Sequence, residues 1–287
     1  MTSVQHFKTY CRFVEPAIGF DKAAFLSENR SEPFLHVFLA KSRDLITRFE
    51  EYKQYLPPEK LAAIAQKRYS DDQTDHLAAN GLLHDLLKKY YIADPNEKWQ
   101  IAYRKGKKPM LKYINSNENG DGIGNNDLIF NLSHSKGSVA VVIGNKGNLI
   151  GIDIEKIRPL ADIDSVAAYL FSEAEIAFLQ QSPQPLIDFY VLWTRREAFI
   201  KANGWGFSYL SQSSDNSFTD GRHNIIFTLP NNPSSGTTAD IPPALIPIPA
   251  ATPFEIVTLP LPFWEGYCLS VACEKQLPEN FKVYGGF

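Results

Sequence analysis

The chain has 287 residues, 44% of them hydrophobic, a formal charge of −3 and a pI near 6.1. This is enough apolar material for one large or two modest cores, and the charge balance excludes a protein devoted to nucleic acid. The three cysteines (Cys11, Cys268, Cys273) cannot all pair and lack zinc-ligand spacing. With no apolar signal core at the amino terminus and no run of about 20 apolar residues, they point to a reducing, cytoplasmic setting and no membrane span.

Residues 33–40 (PFLHVFLA) read as an early strand. Pro57-Pro58 opens a helix over KLAAIAQKRY, because proline is tolerated where a helix begins. Asp71-Asp72 is expected to cap a second helix, about 73–91, with Leu77, Leu83, Leu86 and Leu87 on its apolar face. A strand over 98–103 leads into the basic turn Arg104-Lys105-Gly106-Lys107-Lys108, and 115–127 is a Gly/Asn-rich loop. Strands over 138–143 and 149–154 are expected to pair as a hairpin through Gly144–Asn148. Ser172 with Glu175 forms a capping box for a helix running to about Gln181. The strongest helix spans 186–202 and stops at Asn203-Gly204, and strands follow at 224–228, 254–259 and 266–273. Nine of the 19 prolines fall in 229–262, so 229–253 reads as a surface insertion.

Two stretches carry chemistry. In Gly151-Ile152-Asp153-Ile154-Glu155, strand alternation puts both carboxylates on one face and both isoleucines on the other. In Trp193-Thr194-Arg195-Arg196-Glu197-Ala198-Phe199-Ile200-Lys201, each four-residue step turns a helix by about 40°, so Trp193, Glu197 and Lys201 share a face. Three carboxylates and an ammonium suit Mg²⁺ and phosphate, since hard cations take oxygen ligands. Taken singly, Asp153 and Glu155 would read as solvated carboxylates at a strand exit, and Glu197 with Lys201 as a surface ion pair.

Together these segments resemble the paired signature of the Sfp-type 4'-phosphopantetheinyl transferases. Phe130-Asn131-Leu132-Ser133-His134-Ser135 is similar to that family's F-N-[IL]-S-H-S, and Gly106-Lys107-Lys108-Pro109 to its G-x-K-P. The motifs stand in the family's order, and the resemblance runs from about Pro58 to about Cys273. It implies an α+β fold of two similar α/β halves related by a pseudo-twofold and meeting near 145–148. Residues 1–146 would contact coenzyme A, and 147–287 would carry the metal and catalytic residues.

The activity implied is Mg²⁺-dependent transfer of 4'-phosphopantetheine from coenzyme A to a serine of an apo acyl or peptidyl carrier protein, by a monomer, releasing 3',5'-ADP. By the same resemblance Asp153, Glu155 and Glu197 hold the metal. Glu197 is assigned both as ligand and as base for the serine proton. Lys201 stabilises phosphate charge or holds the hydroxyl, and Trp193 positions the helix. Ser133 and His134 would hold the coenzyme's phosphates, and Lys108 and Pro109 would lie near its nucleotide. Arg196 stands where the family often has lysine, with a bidentate head group instead of a compact one. Lys60, Lys67 and Arg68 are candidates for the 3'-phosphate. Two arginine positions of the family align with Leu77 and Leu86, so part of the nucleotide pocket is missing or rebuilt. The alternative reading is a module that binds carrier protein or coenzyme A without catalysis. A P-loop is excluded, because the glycines of 120–124 lack the Lys-Ser/Thr that would follow.

Overall fold

The computed structural model describes residues 8–11, 17–18, 25, 32–92, 98–104, 108–114, 128–145, 149–204, 217–219, 225–227, 254–259, 266–274 and 277–285. The insertion at 229–253, the loop at 115–127 and the part of the expected meeting point beyond Asn145 lie outside these residues.

The short strands β1 (Lys8–Cys11) and β2 (Ala17–Ile18) precede β3 (Phe34–Lys41). A 3₁₀ segment, Ser42–Arg48, leads into α1 (Phe49–Tyr55), α2 (Pro58–Ala65) and α3 (Ser70–Leu86), and α3 closes in a π turn, Leu87–Tyr91. Next come β4 (Trp99–Ala102), β5 (Met110–Tyr113), β6 (Leu128–Ser135), β7 (Ser138–Asn145) and β8 (Ile150–Lys156). Then follow α4 (Ile163–Leu170), α5 (Glu173–Gln181), α6 (Pro185–Asn203), β9 (Ser217–Thr219) and β10 (Ile225–Phe227). The last strands are β11 (Phe254–Leu259), β12 (Tyr267–Glu274) and β13 (Asn280–Gly285).

The fold is mixed α and β in four layers. One sheet has the order β2-β13-β3-β7-β6, the other β1-β11-β12-β8, and two-stranded ribbons pair β4 with β5 and β9 with β10. Strand alternation sends Leu35, Val37, Leu39, Ala140 and Val142 from the first sheet against Ile150, Ile152, Ile154, Leu269 and Val271 from the second. The opposite face of the first sheet, with Phe38, Val139, Val141 and Ile143, is covered by the apolar faces of α1–α3, including Tyr52, Leu77 and Leu83. The outer face of the second sheet, with Ile256, Cys268 and Ala272, is covered by α4–α6 through Leu170, Phe189, Leu192 and Phe199.

Several expectations change. The strands over 138–143 and 149–154 are not a hairpin: β7 pairs with β3 and β6, whereas β8 pairs with β12. A Gly/Asn connector permits a sheet crossing as readily as a tight return. The hairpin is instead β6–β7, turned by Lys136 and Gly137 with positive φ at both, as a two-residue primed turn demands. Asp71 and Asp72 lie inside the first turn of α3, where they favour the helix dipole, and the cap position is Tyr69. The Ser172–Glu175 capping box forms as expected, and Gly204 ends α6 in the left-handed conformation. A division at 146/147 does not separate the sheets, because β1 pairs with β11 and β13 with β3.

Candidate functional site

The site lies where β6, an edge of the first sheet, meets β8, an edge of the second. With Ile150, Ile152 and Ile154 turned into the core between the sheets, Gly151, Asp153 and Glu155 face α6. The helix crosses β8 so closely that a Cβ on Gly151 would lie 2.0 Å from Ala198 O and 2.5 Å from Ala202 N. Only glycine permits that approach, and the approach brings Glu197 and Lys201 over the two carboxylates.

Lys201 Nζ donates to Asp153 Oδ1 at 2.6 Å and to Ser133 Oγ at 2.9 Å. Ser133 Oγ–H in turn donates to Asp153 Oδ1 at 2.9 Å, and Ser135 Oγ–H donates to Glu155 Oε2 at 2.7 Å. The Trp193 side chain also hydrogen-bonds Glu155 and stacks on Phe189, with ring planes 10° apart. Asp153 is 2% and Glu197 3% exposed. Among the described residues, Asp153 Oδ2 and Glu197 Oε1 are buried and meet no hydrogen-bond donor.

Three carboxylates face one ammonium, and the imbalance shows in their acidity. Burial first, then the charge of Asp153, raises Glu155 from its ordinary 4.5 to about 7, against the pull of Ser135, Lys201 and Trp193. Burial and Asp153 likewise raise Glu197 to about 7, with Lys201 opposing. Two orphaned oxygens and an excess of buried negative charge suit a hard cation. The set is not closed around an ion point, however: among the described residues no three His, Cys, Asp or Glu side chains stand grouped to hold one.

A basic cluster adjoins the carboxylates. His134 on β6 and His76 on α3 meet edge to face with ring centroids 4.0 Å apart. Burial, then the surrounding cations, lowers His76 to about 4 and His134 to about 3, so both rings are neutral near pH 7. Lys60, Lys67 and Lys201 contribute to both shifts. Lys60 lies over the Tyr103 ring at 5.0 Å, and the Tyr103 hydroxyl donates to Asn80 Oδ1 at 3.0 Å.

Thus Asp153, Glu155, Glu197, Lys201, His134, Lys60 and Lys67 converge, while the other candidate residues make contacts of their own. Arg196 does not join them. Its guanidinium forms a buried pair with Glu175 Oε2 at 2.5 Å and lies over Phe171, because one residue before Glu197 the helix points about 100° away. Ser133 accepts from Ile154 N–H and Lys201 and donates to Asp153, so its one donor and two lone pairs are all engaged within the protein. Arg68 stacks on exposed Tyr69. Lys108 donates to Ile150 O, and burial lowers it to about 8, tying the end of the basic turn to β8 next to half-buried Pro109. Leu77 and Leu86 are core residues, so neither position faces a phosphate. His76 joins the site without having been named among the candidate residues. Its place on α3 one turn before Asn80, whose side chain meets Tyr103, was the available signal.

Sequence comparison agrees with this arrangement. The 4'-phosphopantetheinyl transferase superfamily model matches residues 149–241, which include β8 and α6. The chain is 31% identical over 159 residues to 4'-phosphopantetheinyl transferase HetI of Nostoc sp., covering 55% of this chain and 63% of that protein. It is 32% identical over 162 residues to 4'-phosphopantetheinyl transferase psf-1 of Bacillus pumilus, covering 56% and 63%. It is 36% identical over 137 residues to 4'-phosphopantetheinyl transferase gsp of Aneurinibacillus migulanus, covering 45% and 50%. The match therefore spans under two thirds of each relative. With the paired strand and helix motifs brought together, residues 149–241 resemble the 4'-phosphopantetheinyl transferase superfamily, and the chain is similar to these relatives over part of its length.

Proposed function

We propose that this protein transfers the 4'-phosphopantetheine group of coenzyme A to a serine hydroxyl of an apo acyl or peptidyl carrier protein, in a Mg²⁺-dependent reaction. The observation that carries this reading is the convergence of Asp153, Glu155, Glu197 and Lys201 beside a basic cluster, with two carboxylate oxygens orphaned in the buried site.

Asp153, Glu155 and Glu197 would hold the ion, which when bound supplies Lewis acidity and a template for the pyrophosphate. Lys60, Lys67 and Lys201 supply positive charge for the coenzyme's phosphates, and the neutral rings of His76 and His134 each offer one N–H. A carrier serine attacking the β-phosphorus must shed a proton. Glu197, raised to about 7, is matched to receive it near neutral pH. The P–O bond to the nucleotide breaks and 3',5'-ADP leaves. Lys201 stands within reach of both the carboxylates and the incoming phosphate charge.

The repeated connectivity of β3-α3-β6-β7 and β8-α6-β11-β12, with the first strand beside the last in each, supports two halves related by a pseudo-twofold. No helix among the described residues is long and apolar enough to cross a membrane. We place the protein in the cytoplasm as a monomer with neither membrane nor nucleic-acid partners, in keeping with its composition.

The test is intact-protein mass spectrometry of apo carrier proteins incubated with this chain, coenzyme A and Mg²⁺, beside Asp153→Ala. A gain of one phosphopantetheinyl group, lost in the variant and with a chelator, is expected. Coenzyme A binding without transfer to any carrier would replace the reading with a non-catalytic binding module.

A further inference from the structure

Three side chains of β6 at strand spacing reach across the seam to consecutive outward N–H groups of β8. Asn131 Oδ1 accepts from Ile152 N at 3.1 Å, Ser133 Oγ from Ile154 N at 3.3 Å and Ser135 Oγ from Lys156 N at 3.2 Å. These bonds satisfy donors that an unpaired sheet edge leaves open, which gives the alternation a structural purpose. The two serines do more than the asparagine. Each sends its own proton to a carboxylate on the residue before the N–H it accepts: Ser133 to Asp153 and Ser135 to Glu155. Each serine therefore fixes the backbone and the carboxyl group of β8 at once, and Ser133 also holds Lys201.

We infer that Ser133 and Ser135 are positioning residues for the carboxylates of the proposed metal site, with Asn131 a purely structural rung of the same ladder. This rests on the functional reading above. It moves the Ser-His-Ser segment's role from touching substrate to splitting in two: alternate residues face opposite sides, so His134 turns to the basic cluster while Ser133 and Ser135 set the carboxylate geometry. A serine hydrogen bond orients one oxygen of a carboxyl group and can leave the other for a ligand. Asp153 Oδ2 is in that condition.

Asn131 supplies the internal control. Asn131→Ala, Ser133→Ala and Ser135→Ala each orphan one backbone N–H of β8, so all three are expected to lower Tm without metal. Mn²⁺ titration of the full chain, followed by calorimetry, separates the roles. Ser133→Ala and Ser135→Ala are expected to bind Mn²⁺ about 10- to 100-fold more weakly, as loss of a ligand's supporting hydrogen bond does. Asn131→Ala is expected to stay within about twofold of wild type, a margin far below that range. Ser133→Thr and Ser135→Thr keep the hydroxyl and are expected to restore binding.

Equal Mn²⁺ affinity in all three alanine variants, or equal loss in all three, overturns the inference, as does a wild type that binds no Mn²⁺. Absence of carrier modification with this pattern intact would defeat the proposed function while leaving the positioning roles standing. Should an alanine variant fail to fold, the threonine variants decide. Binding weakened as far as in a variant lacking Asp153 would show that a hydroxyl at these positions does not suffice to orient the carboxylates.

Discussion

β3 and β8 hold comparable places in the two sheets, β3 beside β7 in the first and β8 beside β12 in the second. Both bury one face between the sheets: Leu35, Val37 and Leu39 in β3, and Ile150, Ile152 and Ile154 in β8. Their other faces diverge. β3 turns Phe34, His36 and Phe38 into an aromatic cage with Phe25, Tyr91 and Tyr284, where His36 Nδ1 meets the Tyr91 hydroxyl at 2.8 Å. β8 turns Gly151, Asp153 and Glu155 to a helix carrying Glu197 and Lys201. One face supplies cohesion. The other holds like charges at close quarters, and holds them only because surrounding packing and the ladder from β6 fix the strand. The scaffold sets direction, and the residue types decide whether that direction becomes core or chemistry.

The sharpest break is Asp153→Ala or Glu197→Ala, which should reduce carrier modification by about 10³-fold or more, measured by mass spectrometry, while leaving the fold intact. Phe38→Ala should do the reverse, costing about 4 kcal/mol by urea denaturation through a cavity in the aromatic face, with the chemistry preserved in the molecules that remain folded. Gly151→Ala should damage both. Its methyl group would meet the α6 backbone, costing about 3 kcal/mol and displacing Glu197 and Lys201 from the strand.

A subtler test is Glu197→Gln under chelation. The wild-type carboxyl is raised from 4.5 to about 7, so the folded state holds this proton more tightly than the unfolded chain does. Its favourable contribution is complete below pH 4.5 and is lost as pH rises toward 7. Glu197→Gln should therefore match wild type in Tm near pH 4.5 and exceed it by a few degrees at pH 7.5. On the exposed surface, Lys53→Ala removes an i,i+3 pair with Glu50 and should cost less than about 0.5 kcal/mol, a baseline for the other changes.

Local patterns made much of this readable. The alternation of Gly-Ile-Asp-Ile-Glu gave the orientation of β8, four-residue spacing gave the working face of α6, and Ser172 with Glu175 marked the start of α5. The same helical geometry excludes Arg196 from that face, and the same strand geometry divides Ser133 and Ser135 from His134. Arg196 and Ser133 were grouped with their neighbours because motifs were read as blocks and not residue by residue. What local pattern does not encode is partnership between distant segments. A connector of glycine and asparagine says that the chain turns, not whether β8 returns to β7 or crosses to β12. The shift of Glu197 and the encounter of His76 with His134 likewise exist only after α3 and α6 have packed.

β13 lies between β2 and β3, with Asn280 opposite Phe34, so the first sheet takes a strand from the far end of the sequence. During synthesis, β3 emerges long before the strand that must lie beside it. The first sheet therefore waits with an open edge on one side of β3 while the second sheet and α6 are made. A chain lacking β13 would present β3 as an open, adhesive edge, and pairing with β13 closes it.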